Sequence, residues 1–586
     1  MDRGYTTPGS PTEVADPKHE GYSMFDERAT FGGAAHIQRK LGAYYTSSAT
    51  AMHMARWLLR GDVRSVLEPS FGGGVFLDAI RVAQQELDVK RVRIIGAEIS
   101  ESEVDRIVSD GLLAAANIHH GDFLTMKPTP VDAVIGNPPY VRLRNLSECD
   151  RGTALRVAHA KLRAPMDTSG SLWMPFVLHS MSFLKKGGRL ALVLPYEFTY
   201  VKYALDLWQT LASSFGSLRI VRVHERLFPD ILQEVVLLYA ADFGSSCSTV
   251  RFSAFERIHS FLAEMPVCDR DLPIRNIVAG ERSFVHALLP DALVELIARR
   301  GGADMEMIKE RCSFNIGYVC GDKDFFHPSP EARQSFGLRR TSLRQAVTSS
   351  RQLKGGGLRS SNLRPTEMDS LFLPPIDVGA LSREDKQYIK WGEANRVDKR
   401  YKCQVRSPWY QVPGVKVPDL LLSVFADRPL MILNDGEYIA TNSLLCGYMK
   451  KGRADTLAAG WYTSLSLLNC ELEVHSLGGG VMILVPNEVG RVRVPKVSRV
   501  TKAYLTRLDA ALRTGNETAA YELGDSEVLR ALLGFSAQEV KLIKDGLQIL
   551  KHWRTSAQSQ KSQRVSATHR KGVIKNVQEE MALLEG

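Results

Sequence analysis

The sequence predicts an α/β protein in which an N-terminal mixed sheet is followed by a mixed α+β region. Short apolar runs alternate with segments of helical periodicity through the first 250 residues, the pattern of strands joined by crossover helices. The second half lacks this alternation and carries basic runs without acids. The predicted divisions are a flexible leader at 1–36, an α/β domain at 37–250, a second domain at 251–510, and C-terminal helices with a basic tail at 511–586.

The bulk composition excludes several classes of protein. Hydrophobic residues make up 44% and charged residues 24% of the 586 residues, the balance of a globular protein with a sizeable core. No apolar run reaches the roughly 18 residues that a membrane span needs, and the N-terminus lacks the apolar segment of a secretory signal. The eight cysteines form no C-x-x-C pair, which argues against a zinc site or a disulfide framework and for a reducing cytoplasm.

The first predicted strand of the α/β domain ends in a glycine-rich turn. A helix within 37–60 precedes it, and the strand around Val66 then meets Glu68-Pro69-Ser70. Three glycines starting at Gly72 lead into a helix predicted to continue to about Leu87. Glycine lets the backbone approach a ligand closely, and a helix N-terminus presents N–H groups. The acid before the turn favours a ligand with a cationic group over a pyrophosphate.

The next two predicted strands also end in polar side chains. One ends at Glu98, about 25 residues past the glycines, where a carboxylate in nucleotide-binding α/β folds holds ribose hydroxyls. A helix is predicted over 101–115, and the following strand ends at Asp122 and Phe123. Ligands of doubly wound sheets bind at the C-terminal edge of the strands, so a ligand site is predicted at this edge.

The segment Asn137-Pro138-Pro139-Tyr140 follows the fourth predicted strand. Two successive prolines fix two φ angles and remove two backbone donors, so neither helix nor strand continues there. The resulting rigid loop offers an amide side chain, carbonyls not committed to a ladder and an aromatic ring, which together can clamp a planar amine. A structural proline turn with a capping asparagine is the alternative, because short motifs also match by chance.

The remaining elements complete a predicted seven-strand unit at about residue 250. The basic stretch 141–171 is predicted to be a loop-like, mobile flap, or else a solvated surface. Phe228 lies on a loop between the last two strands. The other predicted elements are a helix over 172–185 and strands over 189–194, 219–224 and 234–241.

Acid-free basic runs distinguish the second half. Residues 335–366 contain seven Lys/Arg and no acid, and 551–578 contain seven more. A merely soluble surface usually intersperses both signs, whereas clustered cations among hydrogen-bonding side chains indicate a groove that binds phosphates and base edges. The net charge of +10 agrees with a polyanionic partner. Helices near 500–512 and 526–551 are predicted to close this half.

The order of these motifs resembles that of the gamma-class, TaqI-type DNA adenine-N6 methyltransferases of restriction–modification systems. The resemblance extends from about residue 38 to 500. It implies a Rossmann-like class I methyltransferase domain with a seven-stranded mixed sheet, followed by an α+β target-recognition domain. The segment from Phe71 to Gly74 is more glycine-rich than the family's loop. The motifs that carry the resemblance are Tyr45-Thr46, Glu68-Pro69 through Gly74, Glu98, Asp122-Phe123, Asn137-Pro138-Pro139-Tyr140 and the late basic region.

The resemblance implies a site-specific transfer of a methyl group from S-adenosylmethionine to N6 of a flipped-out adenine in duplex DNA. Asn137 and Pro138 would accept hydrogen bonds from the amine, and Tyr140 and Phe228 would stack on the base. The implied cofactor-binding residues are Thr46, Glu68, Ser70, Gly72, Glu98, Asp122, Phe123, Asn137 and Phe176. The basic residues predicted to contact DNA are Arg339, Arg340, Arg344, Arg351, Lys354, Arg359 and Arg364.

The implied partner is double-stranded DNA, with no membrane and no metal ion. The chain would be a cytoplasmic monomer that protects host DNA from a cognate restriction endonuclease, which shares the recognition site without needing to bind the methyltransferase. RNA base N-methylation and protein-glutamine N-methylation, which use a similar clamp, remain the alternatives. The long basic C-terminal region argues against the second of these.

Overall fold

A nine-stranded mixed sheet organises the N-terminal half of the protein. The computed structural model describes residues 46–89, 91–227, 234–477 and 480–555. The strands of this sheet are β1 Ser65–Glu68, β2 Arg93–Glu98, β3 Ile118–His120, β4 Val131–Gly136, β5 Leu184–Pro195, β6 Phe215–Val223, β7 Val235–Phe243, β8 Thr249–Phe255 and β9 Cys268–Pro273. They lie in the order β3-β2-β1-β4-β5-β7-β6-β8-β9. Strand β7 is antiparallel to both of its neighbours, β5 and β6, whereas β1 to β5 are parallel.

The sheet is larger than the seven strands that the sequence predicts. Strand β8 pairs in parallel with β6, and β9 closes the edge antiparallel to β8. The sheet therefore continues to Pro273, past the predicted end of the α/β unit at 250. Strand β9 carries three consecutive charged residues, Asp269 to Asp271, because it lies at an edge, so it lacks the buried apolar run that marks the inner strands. The division into domains at residue 250 remains a prediction.

Ten helices of the described chain accompany this sheet. One apolar layer packs Met54, Leu58 and Ile80 against one face, and a second layer includes Trp173 and Trp208 on the other. Parallel strands that are covered on both faces need apolar side chains on both. The helices are α1 Ser48–Leu58, α2 Val75–Glu86, α3 Glu101–Ser109, α4 Glu148–His159, α5 Trp173–Met181, α6 Leu205–Ser214, α7 Ile258–Leu262, α8 Ile274–Val278, α9 Ser283–His286 and α10 Asp291–Gly301.

Helix α4 lies within the stretch 141–171, which the sequence predicts to be a loop-like flap. The hydroxyl of Ser147 caps its N-terminus by accepting a hydrogen bond from the N–H of Asp150 at 3.2 Å. Ala154 and Ala158 are fully buried in the core. The prediction is wrong for this segment because two small residues on one helical face pack against the core, a signal that the neighbouring arginines obscure in the sequence.

The second half is built from small sheets and helices. Its strands form a four-stranded sheet β11-β18-β14-β16, two three-stranded sheets β13-β12-β17 and β15-β20-β19, and the pair β10-β21. No helix within the described ranges is long and apolar enough to cross a membrane. The strands are β10 Met305–Met307, β11 Cys312–Ile316, β12 Leu343–Val347, β13 Asp369–Phe372, β14 Leu420–Ser423, β15 Phe425–Ala426, β16 Met431–Leu433, β17 Ile439–Ala440, β18 Leu444–Met449, β19 His475–Leu477, β20 Val481–Ile483 and β21 Arg493–Pro495.

The last helix of the described residues returns to the nine-stranded sheet. The helices of this half are α11 Lys323–Phe326, α12 Pro330–Phe336, α13 Arg383–Ala394, α14 Tyr401–Gln404, α15 Ala454–Trp461, α16 Ser464–Glu473, α17 Pro486–Arg491, α18 Lys502–Arg513, α19 Glu517–Gly524 and α20 Ala537–Arg554. In place of one helix over 526–551, a π-helical segment covers Asp525–Leu532 and α20 begins after a turn at Gly534. Leu550 and Trp553 of α20 are buried in the same apolar cluster as Trp173.

Two buried arginines hold α20 in place. Arg222 of β6 donates to the carbonyl of Trp553 at 2.7 Å, and Arg554 makes a two-pronged pair with Glu471 at 2.8 and 2.9 Å. A buried guanidinium is tolerated because carboxylate and carbonyl oxygens satisfy its donors. The C-terminal helix is thus part of the interface between the two halves. The predicted leader, residue 228 and the tail beyond 555 lie outside the described residues.

Candidate active site

The C-terminal ends of three neighbouring parallel strands form one edge. Strand β1 lies between β2 and β4, with Glu68 opposite Gly96 and Leu67 opposite Val134. The turn after β1, Glu98 at the end of β2 and the loop after β4 therefore converge. Such an edge, where connections leave toward opposite faces, is the place where doubly wound sheets bind ligands.

The glycine turn after β1 is tied to the end of β2. The N–H of Gly72 donates to one carboxylate oxygen of Glu98 at 2.8 Å, and the other oxygen accepts from the N–H groups of Ile99 and Ser100, both at 3.0 Å. A Cβ at Gly72 would have no described heavy atom outside the adjacent residues within 4 Å, whereas one at Gly74 would lie 2.5 Å from the side chain of Ile107. Gly74 is therefore favoured mainly by its left-handed backbone, with φ at 75°, and the described residues leave the position of a side chain at Gly72 open.

Glu68 is a buried carboxylate at this edge. It is 1% exposed, and within the described ranges its Oε2 atom has no hydrogen-bond partner. Burial, together with the charges of Glu98 and Asp78, raises the pKa of Glu68 well above its ordinary value. Thr46, before α1, also has a buried hydroxyl without a partner among the described residues. Unsatisfied buried oxygens are costly, so both indicate a polar ligand.

The loop after β4 is fixed by two hydroxyl groups. Ser70 donates to the backbone carbonyl of Asn137 at 3.2 Å, which joins this loop to the turn after β1. The hydroxyl of Tyr140 lies within donating distance of Asn137 Oδ1, at 2.7 Å, and of the Val193 carbonyl, at 3.1 Å. One hydroxyl hydrogen is shared between these acceptors. Because a carboxamide oxygen has two lone pairs, the hydrogen bond from Tyr140 does not by itself use the full acceptor capacity of Asn137 Oδ1.

The strand end after β3 brings aromatic rings to the same edge. Asp122 caps a short turn by accepting from the N–H of Leu124 at 2.9 Å, and burial raises the pKa of its carboxyl group. The ring centroids of Phe123 and Phe176 are 5.2 Å apart, and Phe123 stacks at 5.5 Å on Phe183. The structure thus brings together Asp122, Phe123 and Phe176, although the rings of Phe123 and Phe176 are buried.

Glu197 is a site residue that sequence reasoning missed. It follows β5 directly and accepts hydrogen bonds from Arg142 at 3.0 Å, Trp173 at 3.3 Å and Tyr203 at 2.8 Å. Arg142 lies two residues beyond Tyr140, so Glu197 fixes the chain where it leaves the clamp. The available signal was its position: like Glu68 and Glu98, it is a carboxylate at the C-terminal end of a parallel strand.

The seven predicted DNA-contacting residues are all exposed, with Arg344 on β12 and the other six on the segments that precede and follow it in the chain. Three of them pair with surface carboxylates: Arg339 with Glu384 at 3.0 Å, Arg359 with Asp435 at 3.0 Å and Arg364 with Glu367 at 3.1 Å. The remaining four, Arg340, Arg344, Arg351 and Lys354, are also solvent-exposed. Phe228, the second predicted base-stacking residue, lies outside the described residues.

Strand order and site together define a class of protein. The order of the parallel strands changes direction between β1 and β4, and the seventh strand is antiparallel. The acids and the glycine turn lie at the C-terminal edge of the parallel strands. This arrangement is the class I methyltransferase fold. Two family models match the chain. Eco57I restriction-modification methylase matches residues 84–228, and the C-terminal domain of Type II methyltransferase M.Eco57I matches residues 281–529.

Curated relatives match over most of the chain. Type II methyltransferase M.AccI of Acinetobacter calcoaceticus is 23% identical over 483 residues, covering 78% of this chain and 85% of the relative. M.XamI of Xanthomonas campestris pv. amaranthicola is 24% identical, covering 80% and 88%. The solved structure of the Type IIL restriction-modification enzyme MmeI in complex with DNA shares the fold, with a TM-score of 0.53, 12% identity, and 89% and 80% coverage. The chain is a methyltransferase of the restriction–modification type.

S-adenosylmethionine is the methyl donor of this class, and the residues at the edge fit it. It supplies an electrophilic methyl group on a sulfonium centre. The buried oxygens of Glu68 and Thr46, which have no partner among the described residues, suit its cationic amino-acid end, and the space that those residues leave at Gly72 admits a ligand against the backbone. The prediction of this cofactor is confirmed at the level of the class, whereas the residue assignments remain predictions.

Cofactor binding is expected to release a proton from Glu68. Its pKa is raised by burial and by the neighbouring carboxylates, and a cationic group beside it lowers that pKa again, so the affinity falls as the pH decreases below the raised value. Titration calorimetry in buffers of different ionisation enthalpy measures this release.

The matched variant for this test is Glu68→Gln, which keeps the shape of the side chain. It should bind the cofactor more weakly and with an enthalpy that does not depend on the buffer. A wild-type enthalpy that is the same in every buffer contradicts the role of Glu68.

Proposed function

We propose that this chain methylates N6 of adenine at a specific site in duplex DNA. The observation that carries the proposal is the Asn137-Pro138-Pro139-Tyr140 loop at the end of β4, joined through Ser70 to the turn that follows Glu68. This arrangement sets an amine clamp beside the pocket with the buried acid. The chemistry then needs positioning of the two reactants rather than a covalent intermediate.

The clamp increases the nucleophilicity of an exocyclic amine. The nitrogen lone pair of adenine N6 is delocalised into the ring. Two acceptors aimed at its hydrogens, Asn137 Oδ1 and the Pro138 carbonyl, favour a tetrahedral nitrogen. Proline preorganises the carbonyl because its φ is fixed. Tyr140, through its hydrogen bond to Asn137 Oδ1 at 2.7 Å, holds the carboxamide in one orientation. After methyl transfer, the N6 proton is lost to water.

The target base must leave the helix, because a clamp at a sheet edge cannot reach N6 within the stack. We assign the partly exposed ring of Tyr140 to one face of the everted base, and Phe228 to the other by family resemblance. Each such contact contributes on the order of 1–3 kcal/mol. Glu98 is assigned to the cofactor ribose, Asp122 to its adenine amino group, and Phe123 and Phe176 to its ring.

Duplex DNA as the partner is supported by the charge of the second half. Seven exposed cations lie on β12 and on the neighbouring segments of the chain, and phosphate neutralisation by such groups dominates affinity for DNA. MmeI, which shares this fold, was solved in complex with DNA. The second family model lies in the same half. We assign the methylation to protection of host DNA against a cognate endonuclease, with the protein acting as a monomer.

Asn137→Ala should lose most of its methyl transfer while it still binds the cofactor. The variant removes one of the two acceptors, and mutation of a single electrostatic group of this kind costs about 100-fold to 1000-fold in rate. The measurement pairs incorporation of labelled methyl groups into DNA with calorimetry of the cofactor. Asn487→Ala, an exposed asparagine on α17, is the control. Full activity of Asn137→Ala would overturn the assignment.

Tyr140→Ala should weaken binding of the target DNA more than binding of the cofactor, by about 1–3 kcal/mol. Tyr140→Phe separates the two roles of this residue: it keeps the stacking ring and loses the hydroxyl that orients Asn137. The phenylalanine variant should therefore retain DNA affinity while its kcat falls. Fluorescence anisotropy with labelled duplex and single-turnover kinetics measure these quantities. An equal loss of cofactor and DNA affinity in Tyr140→Ala contradicts the stacking role.

Replacing Arg344, Arg351 and Lys354 together with glutamine should weaken DNA binding and flatten its salt dependence. Each lost phosphate contact lowers the slope of log K against log salt by about one. Binding isotherms at several salt concentrations give the slope.

A second triple variant is the control: it removes the same number of positive charges from a part of the surface outside the β12 region. Arg64, Arg251 and Lys541 are exposed and already paired with Asp62, Asp269 and Asp545. Their replacement by glutamine should leave the slope close to that of the wild type. Equal slopes in both triple variants would show that the β12 region does not contact phosphates.

A further inference from the structure

A cluster of two histidines and a glutamate lies at the junction between the nine-stranded sheet and helix α20. His224 follows β6, Glu256 follows β8, and His552 belongs to α20. One ligand atom from each of these residues lies within 4.8 Å of the others. The backbone brings the first two side by side, because the N–H of His224 donates to the Phe255 carbonyl at 2.8 Å.

The tautomer of His224 follows from its contacts. Its Nε2 atom lies 2.8 Å from the backbone carbonyl of His552, and a carbonyl only accepts, so Nε2 carries the hydrogen. In the neutral ring, the lone pair is then on Nδ1. That atom faces Glu256 Oε2 at 3.8 Å, and neither atom has a hydrogen to share. A nitrogen lone pair that faces a carboxylate at this distance suits a bridging cation.

The second histidine completes the set. His552 Nε2 lies 2.9 Å from the same oxygen of Glu256. In a tetrahedral zinc site with bonds of about 2.0–2.1 Å, the ligand atoms are about 3.4 Å apart. The observed separations of 2.9 and 3.8 Å bracket that value. The two imidazole rings are stacked, with centroids 4.0 Å apart, so the ring of the half-exposed His552 must rotate to direct its lone pair toward the ion.

The geometry points to a divalent transition-metal site, with Zn²⁺ as its probe, formed by His224 Nδ1, Glu256 Oε2 and His552 Nε2. Two imidazoles and a carboxylate are the ligand set that favours zinc over magnesium or calcium. The donation of His224 Nε2 to a backbone carbonyl is the outer contact that fixes a ligating imidazole. The metal would fasten α20 to the ends of β6 and β8.

Such a site lies outside the methyl-transfer machinery. His552 lies 328 residues beyond His224 and 296 beyond Glu256 in the chain, and none of the three belongs to the clamp or to the pocket around Glu68. The prediction that the protein needs no metal ion rested on the lack of C-x-x-C pairs and on a methyl-transfer reaction that requires no metal. The metal site is therefore a property of the interface between the two halves, and it is independent of which base the enzyme methylates.

Calorimetry on the tag-free full-length protein, stripped with a chelator and titrated with ZnCl₂ at about pH 8, tests the proposal, since deprotonated ligands are needed. The expected result is saturable binding of one Zn²⁺ per chain and a rise in Tm. His552→Ala should weaken binding by about tenfold or more. His259→Ala, which removes an exposed histidine three residues from Glu256, should bind as the wild type does.

Two further measurements distinguish metal binding at this site from loss of folding in a variant and from metal binding by cysteines. Glu256→Gln should also weaken binding, and its Tm without metal shows that the fold is retained. Co²⁺ in the site should give a spectrum without a thiolate charge-transfer band, because no cysteine takes part. The absence of saturable uptake, wild-type affinity in His552→Ala, or a thiolate band would each overturn the proposal.

Discussion

The pairing of β1 between β2 and β4 is the constraint on which the candidate site depends. Parallel strands place their C-terminal ends at one edge, so Glu68, Glu98 and Asn137, which are far apart in sequence, meet there. The base of this arrangement is also fixed: one oxygen of the Asp132 carboxylate accepts hydrogen bonds from the N–H groups of Arg64 and Ser65, at 3.0 and 2.9 Å. A shift of one residue in this register would reverse which side chains face the pocket.

One buried carboxylate at this edge carries a desolvation cost that a polar ligand can offset. Glu68 is buried beside another carboxylate, without a partner for one of its oxygens in the described structure. By contrast, Glu98 is satisfied by three backbone N–H groups. The two acids at neighbouring strand ends therefore differ in how their charge is stabilised. Backbone N–H groups stabilise the carboxylate of Glu98, whereas that of Glu68 would be stabilised by a cationic ligand. This difference follows from burial and hydrogen bonding rather than from residue type.

The two halves of the protein are joined by the return of α20 to the sheet. Arg222, at the end of β6, donates to the Trp553 carbonyl and lies over the ring of Tyr196 at 4.0 Å, next to the β5 end that carries Glu197. The proposed catalytic edge and the C-terminal helix thus share neighbours. The proposed function, in which one half binds a duplex and the other modifies a base, needs the two halves held in a defined relation, which these buried polar contacts provide.

The sequence by itself determined the order of the motifs, the kind of sheet, the glycine turn and the proline-stiffened loop. Each of these depends on local chemistry: proline restricts φ, glycine permits close approach, and apolar runs form buried strands. The class of cofactor followed from the family resemblance of these motifs rather than from local chemistry. Only the tertiary structure decided that α4 occupies the basic stretch 141–171, that the sheet continues to Pro273, and that Glu197 supports the clamp. It also brought His224, Glu256 and His552 together. These features depend on contacts between residues distant in the chain, which no local periodicity records.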